Sequence, residues 1–313
     1  MDKLLDCVII GGGPSGLTAA IYLARFNLAI AVIDSGASRC ATIPRTRNHA
    51  GYPGGISGKD LLARMREQAA EFHVQVTEAL VRAIRHGPDD GFTVESDAGS
   101  WRTRTILLAT GVVNNRPRIG DTEHDRAVEK GLIRYCPICD GYEVMGQQVG
   151  VIGTGTHGYN EAVFLRMYTA AVTLIAPDAV HELSDEQRRS LADLGVALVD
   201  GPCDELRIEN ERIVVPTAGG ALRFDTVYPA LGSVIRSGLA IDLGAEASDE
   251  GCLVVDEHQR TSVNGLYAAG DVSKGLDQIS HAMGEAGVAA TAIRNDLAAK
   301  GMLVPPAINH GKN

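Results

Sequence analysis

Cys7-Val8-Ile9-Ile10-Gly11-Gly12-Gly13-Pro14-Ser15-Gly16 sets four apolar residues against a turn whose glycines at 11, 13 and 16 have the spacing G-x-G-x-x-G. The apolar run reads as a short buried strand, Leu17 to Phe26 as a helix, and Ala29 to Ile33 as a second strand that ends on Asp34. Glycines so placed allow a tight turn and let a pyrophosphate approach the backbone at the helix N-terminus. An acid closing the second strand can accept from a ribose hydroxyl. A lone glycine motif is weak, but strand, helix and acid together lead us to expect dinucleotide binding.

The pattern returns further along. Gln148 to Ile152 reads as a strand, Gly153-Thr154-Gly155-Thr156-His157-Gly158 as a second glycine turn, Asn160 to Tyr168 as a helix, and Ala171 to Ile175 as the next strand. Such duplication implies two nucleotide-binding-type domains, which suits 313 residues at roughly 100–200 per domain. Between the repeats, Lys59 to Phe72 has helical periodicity. Segments 74–84, 92–95 and 101–109 read as a small β-meander ending in Ile106-Leu107-Leu108-Ala109-Thr110-Gly111. Short strands are expected around 196–199, 206–215 and 222–231. Gly265 to Val272 reads as a buried strand, Gln278 to Arg294 as an Ala-rich helix, and 304–313 as a poorly ordered tail.

Twenty-nine basic against 39 acidic residues give a net charge of −10, which opposes nucleic-acid and anionic-membrane binding. The apolar run at the N-terminus is too short and wrongly flanked for a signal peptide. No stretch approaches the roughly 18 apolar residues of a membrane span. A reducing cytoplasm is the expected setting.

In that setting Cys136-Pro137-Ile138-Cys139-Asp140 is the second informative stretch. A CxxC pair reads either as a redox dithiol or as half of a zinc site. Cys7, Cys40, Cys203 and Cys252 stand singly and supply no second pair, so redox chemistry is favoured. Asp140 is placed to move a proton as the disulfide opens and closes. Cys7 and Trp101 read as packing, Cys40 as a loop thiol, and His281 as a helix histidine.

The stretches at 11–24, 55–69, 106–111, 136–141 (CPICDG) and 265–272 (GLYAAGDV) together resemble the low-molecular-weight thioredoxin reductase family of flavoproteins. The resemblance implies an α/β fold of two Rossmann-like, three-layer ββα domains, the second inserted into the first. By that reading an FAD domain spans 1–117 plus 246–313, and a pyridine-nucleotide-type domain carrying the CxxC spans 118–245. It implies that Gly11, Gly13, Gly16 and Asp34 hold the ADP half of FAD and that Gly270 and Asp271 reach its ribityl and pyrophosphate. Gln278 and Ile279 are placed facing the flavin ring. Pro14, Ser15, Ser35, Arg39, Asn48, Thr110 and Gly111 are further expected cofactor contacts. Cys136 becomes the attacking thiol, Cys139 the flavin-proximal thiol, and Asp140 the proton shuttle. Electrons pass from NADPH through FAD to the dithiol and on to a disulfide partner, with a rotation between domains and a homodimer as the usual assembly.

The chain also departs from that pattern. NADPH-using members grip the 2′-phosphate with a His-Arg-Arg type cluster, where this chain has Ala176, Pro177 and Asp178. His157 and Tyr159 replace small residues and are expected to crowd a dinucleotide. Arg188 and Arg189 read as a solvated helix face, Gly232-Ser233-Val234-Ile235 lacks the usual His-x-Pro, and Gly51 stands where the family offers an Asn. NADPH binding is therefore expected to be lost or strongly weakened, with NADH use through Asp178 left open. Expected donors or acceptors are ferredoxin, a second flavin, or oxygen in dithiol oxidation; the disulfide partner is a thioredoxin-like protein or a small dithiol. The alternatives are a conventional NAD(P)H-dependent thioredoxin reductase and a flavoprotein redox sensor or binding module.

Overall fold

The computed structural model describes residues 4–87 and 90–303; the tail expected at 304–313 lies outside them. The chain separates into two compact units. One comprises residues through Cys40, Leu62–Gly111 and from Ile235 onward; the other comprises Ala41–Leu61 and Val112–Val234.

In the first unit β1 (Leu5–Ile10), α1 (Pro14–Arg25) and β2 (Ile30–Asp34) form the expected βαβ, with Cys7 opposite Ile30 in parallel register. After α2 (Gly58–Glu71) come β3 (Val76–Glu78), β4 (Val81–His86), β5 (Phe92–Ser96) and β6 (Gly99–Leu108). The sheet runs β3-β2-β1-β6-β5-β4. The stretch 74–84 is thus two strands, because Val76–Glu78 pairs in parallel with Val32–Asp34 before the chain turns to run antiparallel to β5.

The longer segment of the second unit opens with β7 (Val112–Asn114), α3 (Asp121–Glu129) and the short α4 (Pro137–Asp140). Then follow β8 (Gln148–Ile152), α5 (Gly155–Leu165), β9 (Ala171–Ile175), α6 (Asp185–Asp193) and β10 (Ala197–Val199). An antiparallel trio β11 (Arg207–Glu209), β12 (Arg212–Thr217) and β13 (Gly220–Phe224) precedes β14 (Thr226–Pro229), and the parallel sheet runs β10-β9-β8-β14. β15 (Ser233–Ile235) pairs with β7. The chain closes with α7 (Gly238–Ile241), β16 (Leu266–Ala268) on β6, and α8 (Ile279–Ala299).

Each unit has three layers, for one reason. Successive side chains on a strand point to opposite faces, and strands covered on both sides read as unbroken apolar runs. In the first unit Cys7, Ile9 and Leu107 pack under α1 and α8, while Val8, Ile10, Ile106 and Leu108 pack against β4, β5 and α7. In the second, Val149, Val151 and Leu174 meet Leu165 and Leu191 of the helices. Ile152 and Ile175 meet Ile213, Val215 and Phe224 of the antiparallel strands, with Ala127 of α3.

The unit boundary differs from the one read from sequence, because Ala240 and Ala245 pack into the first core and carry 235–245 with it. Residues 41–61 are also grouped with the second unit. Helix α5 starts at the glycine turn rather than at Asn160, and α8 runs beyond Arg294 because Leu297 continues its buried stripe. Among the described residues no helix is long and apolar enough to cross a membrane.

Candidate active site

In the second unit Cys136 and Cys139 form a disulfide across Cα atoms 5.2 Å apart. Cys136 is the N-cap of α4 and Pro137 follows at N1, where a missing N–H is harmless. Cys136 Sγ accepts from the Cys139 N–H at 3.2 Å, a contact that favours thiolate on Cys136 when the bond opens. Asp140 ends the helix, and both its oxygens are held. Arg134 Nη1 donates to Oδ2 at 3.0 Å and the Tyr228 hydroxyl to Oδ1 at 2.7 Å. Burial pushes the Asp140 carboxyl above the usual range, while Arg134 and Tyr228 pull it back. Among the described residues no group of three His, Cys, Asp or Glu side chains is placed to hold a metal.

The first unit supplies a cradle. Gly11 has φ +110°, and a Cβ there would strike Ala109 O; a Cβ on Gly16 would strike Gly11 O. The N-terminus of α1 has Gly13 as N-cap, no side-chain cap and no acid in its first turn. The buried Ser15 Oγ and Thr18 Oγ1 have no hydrogen-bond partner. Uncapped N–H groups, orphaned hydroxyls and a backbone stripped of Cβ atoms are what a pyrophosphate takes, so these residues fit the ADP half of FAD. Asp34 is buried at the end of β2, with Oδ2 accepting from Arg66 Nη2 at 3.0 Å. Arg39 Nη1 bridges Asp271 at 3.0 Å and Asp277 at 2.8 Å. Gln278 caps α8 without using its side chain, and Ile279 opens that helix.

A model of the family described as pyridine nucleotide-disulphide oxidoreductase matches residues 5–286. The chain belongs to that family. The thioredoxin reductase of Treponema pallidum is 31% identical over 304 residues, covering 93% of this chain and 97% of its own. That of Listeria monocytogenes is 29% identical over 300 residues, 92% of each. The crystal structure of thioredoxin reductase from Streptococcus pyogenes matches with a TM-score of 0.86 at 28% identity, covering 96% of this chain and 100% of that one. This pyridine nucleotide-disulphide oxidoreductase is thioredoxin reductase-like, an FAD-dependent thiol–disulfide oxidoreductase.

Within this oxidoreductase, Gly11, Gly13, Pro14, Ser15, Gly16, Asp34, Arg39, Gly270, Asp271, Gln278 and Ile279 all lie in the first unit, as do Ser35, Thr110 and Gly111. Ser35 is exposed, and the Thr110 hydroxyl donates to Arg236 O. Asn48 lies in the second unit, where its Oδ1 accepts from Thr46 Oγ1 at 2.9 Å. Cys7 and Cys40 are buried, and burial pushes both thiols up to about 12.

The second glycine turn keeps its packing, a Cβ on Gly158 striking the Gly153 backbone. Tyr159 does not crowd it, since its hydroxyl meets Ser190 Oγ on α6 at 2.9 Å, and His157 is exposed, 3.6 Å from Glu161. At the end of β9, Asp178 Oδ1 lies 3.3 Å from Arg118 Nη2. Arg188 donates to His181 O and Arg189 is exposed.

Three residues escaped the sequence reading. Tyr228 reaches Asp140 from 88 positions further along the chain and Arg134 from six positions before it, and only the fold brings the three side chains together. Glu285 is buried in α8, where one oxygen accepts from the Gly270 N–H at 2.7 Å and the other meets His281 Nε2 at 2.9 Å. A charge in an Ala-rich helix was the one available signal.

Proposed function

We propose that this enzyme exchanges electrons between its flavin and the Cys136/Cys139 pair without drawing on NADPH. The observation that carries the reading is the end of β9, where Ala176 is buried, Pro177 has no donor, and Asp178 presents a carboxylate beside Arg118. A 2′-phosphate gains most from bidentate guanidinium contacts. Here the nearby guanidinium already has an anion against it, and the carboxylate repels a second one.

FAD, bound on the first unit, supplies two-electron redox chemistry to the disulfide. The remaining steps belong to the chain. With the dithiol open, Cys136 thiolate attacks a partner disulfide and the partner's sulfur–sulfur bond breaks. The leaving sulfur takes its proton from Asp140. Cys139 then attacks Cys136, closing the ring and releasing the partner as a dithiol; the reverse sequence oxidises a dithiol. The partner is a thioredoxin-like protein or a small dithiol, in a reducing cytoplasm. Ferredoxin, a second flavin or oxygen would be the redox partner of a flavin held on the first unit, and the working unit is a homodimer.

A second reading, NADH as donor, is favoured by the intact packing of Gly153 and Gly158, with Asp178 free to accept from a ribose diol once Arg118 moves aside. Anaerobic mixing of the oxidised holoenzyme with NADPH, NADH or dithiothreitol, read as loss of flavin absorbance, decides among these. Bleaching by dithiothreitol alone is the expected result. Rapid bleaching by NADPH sinks the proposal, and bleaching by NADH but not NADPH selects the second reading.

A further inference from the structure

The two oxygens of Asp140 have partners of different kinds. Arg134 Nη1 sits on Oδ2 at 3.0 Å, and a guanidinium only donates, whatever the state of the carboxyl. The Tyr228 hydroxyl sits on Oδ1 at 2.7 Å and has a second acceptor within 3.5 Å, the backbone carbonyl of Asp140 itself. A hydroxyl both donates and accepts. When Asp140 is ionised, Tyr228 donates to Oδ1. When Oδ1 carries a proton, that proton can point at the Tyr228 oxygen while the hydroxyl turns to the Asp140 carbonyl. Neither state strands a buried polar atom on this side, and Arg134 need not move in either.

We propose that Tyr228 and Arg134 are positioning residues that make Asp140 Oδ1 the site of protonation and hold the carboxyl competent in both charge states. Without the pair, a half-buried carboxyl has to find another donor for its anion. With Arg134 alone it would be a fixed anion, whose protonation breaks a charge-assisted contact. Tyr228 makes the proton transferable. Tyr228 is buried in β14 and Arg134 is anchored by its own backbone N–H to Val227 O at 3.0 Å, so the two partners share one strand as their support. The other charge facing the site is Glu143, which opposes ionisation of Asp140 and is itself paired with Arg47 at 3.3 Å.

The inference rests on the thiol–disulfide chemistry of Cys136 and Cys139 and is independent of which donor serves the flavin. In the oxidising direction the substrate thiol's proton passes to Oδ1 as its sulfur attacks Cys136, the Cys136–Cys139 bond breaks, and Cys139 leaves with the electron pair. In the reducing direction the same proton returns to the leaving sulfur. No further reactant is needed.

The test follows the disulfide itself. Holoenzyme is mixed with dithiothreitol, quenched with a maleimide and scored for labelled thiols across pH 5 to 9, for the wild type, Tyr228→Phe, Arg134→Lys, Asp140→Asn and Tyr228→Phe/Asp140→Asn. Removing the hydroxyl takes a donor from the anion, so the acid-side inflection of Tyr228→Phe moves up by about one pH unit. Arg134→Lys, which keeps a cation, restores most of the wild-type profile. Asp140→Asn abolishes the inflection, and adding Tyr228→Phe to it changes nothing further. A Tyr228→Phe profile that superimposes on the wild type, or that falls equally at every pH, overturns the proposal. So does an additive effect in the double variant, since Tyr228 would then act elsewhere than through Asp140. Thermal midpoints of the five proteins establish that each is folded over the range assayed, and a fall at every pH in a folded Tyr228→Phe counts against the proposal.

Discussion

Arg39 Nη1 donates to Asp271 Oδ2 at 3.0 Å, tying the segment after β2 to the Gly-Asp turn after β16, and the same nitrogen reaches Asp277 at 2.8 Å. Two acids on one cation is a repulsive arrangement once the cation is gone. Burial, and after it the charge of Asp271, already push the Asp277 carboxyl up, and Arg39 restrains that rise. The Arg39→Met variant is therefore expected to hold FAD about threefold more weakly, the modest size reflecting partly exposed partners. The loss should be larger at pH 8 than at pH 5.5, where Asp277 is more readily neutral. Flavin-to-protein absorbance ratio after gel filtration measures it; unchanged retention at both pH values would show that the bridge does not organise the cradle.

Thiol chemistry should be confined to one place. Cys7, Cys40 and Cys203 are buried, with burial pushing each thiol up, and Cys252 is the partly exposed one. Reactivity follows the thiolate and its access. With the disulfide closed, a chromogenic disulfide reagent should label Cys252 alone in the native protein, slowly, and all four free cysteines in denaturant. Fast labelling of Cys40 would contradict its burial.

Much of this was legible because strands covered on both faces leave continuous apolar runs. Val8-Ile9-Ile10, Ile106-Leu107-Leu108 and Gln148–Ile152 were placed within a residue or two of where they stand, and the glycine turns beside them fixed the topology. Less regular packing was not legible. Helix α3 is mostly polar, with His124 and Ala127 buried and Val128 partly buried, and nothing in its periodicity announced it. The dithiol could be read from four residues in a row, but its supporting groups could not, since Tyr228 lies 88 positions from Asp140 and looks like an ordinary strand aromatic. Tyr159 shows the opposite failure: its identity suggested obstruction, while its direction, towards Ser190, removes it.

Glu161 gives a pH dependence with a definite sign. Burial pushes its carboxyl from 4.5 to about 7, and the titratable group facing it is His157, 3.6 Å away on the preceding turn. The folded state binds the proton more tightly than the unfolded chain, so stability is fully kept below about pH 4.5 and is lost as pH rises through about 7. Glu161→Gln removes that loss. The variant should match the wild type near pH 4.5 and exceed it at pH 8 by on the order of 1–3 kcal/mol, a midpoint several degrees higher. A thermal melt at the two pH values suffices. An equal difference at both would mean the carboxyl is not the titrating group.

The end of β9 makes the last prediction. Asp178 is exposed and holds Arg118 at 3.3 Å. Asp178→Arg reverses the charge there and releases Arg118, so two guanidinium groups stand where one was neutralised. If the missing cations are what bars a 2′-phosphate, 2′,5′-ADP should bind the variant at least about tenfold more tightly than the wild type by calorimetry, the scale of one charge-assisted contact. The gain should shrink as salt is raised, because the site is exposed. Adenosine 5′-monophosphate, which lacks the 2′-phosphate, should gain nothing. A gain shared by both nucleotides would place the effect on the adenosine or 5′-phosphate instead, and no gain for either would mean that the obstacle is the shape of the turn rather than the charge at its edge.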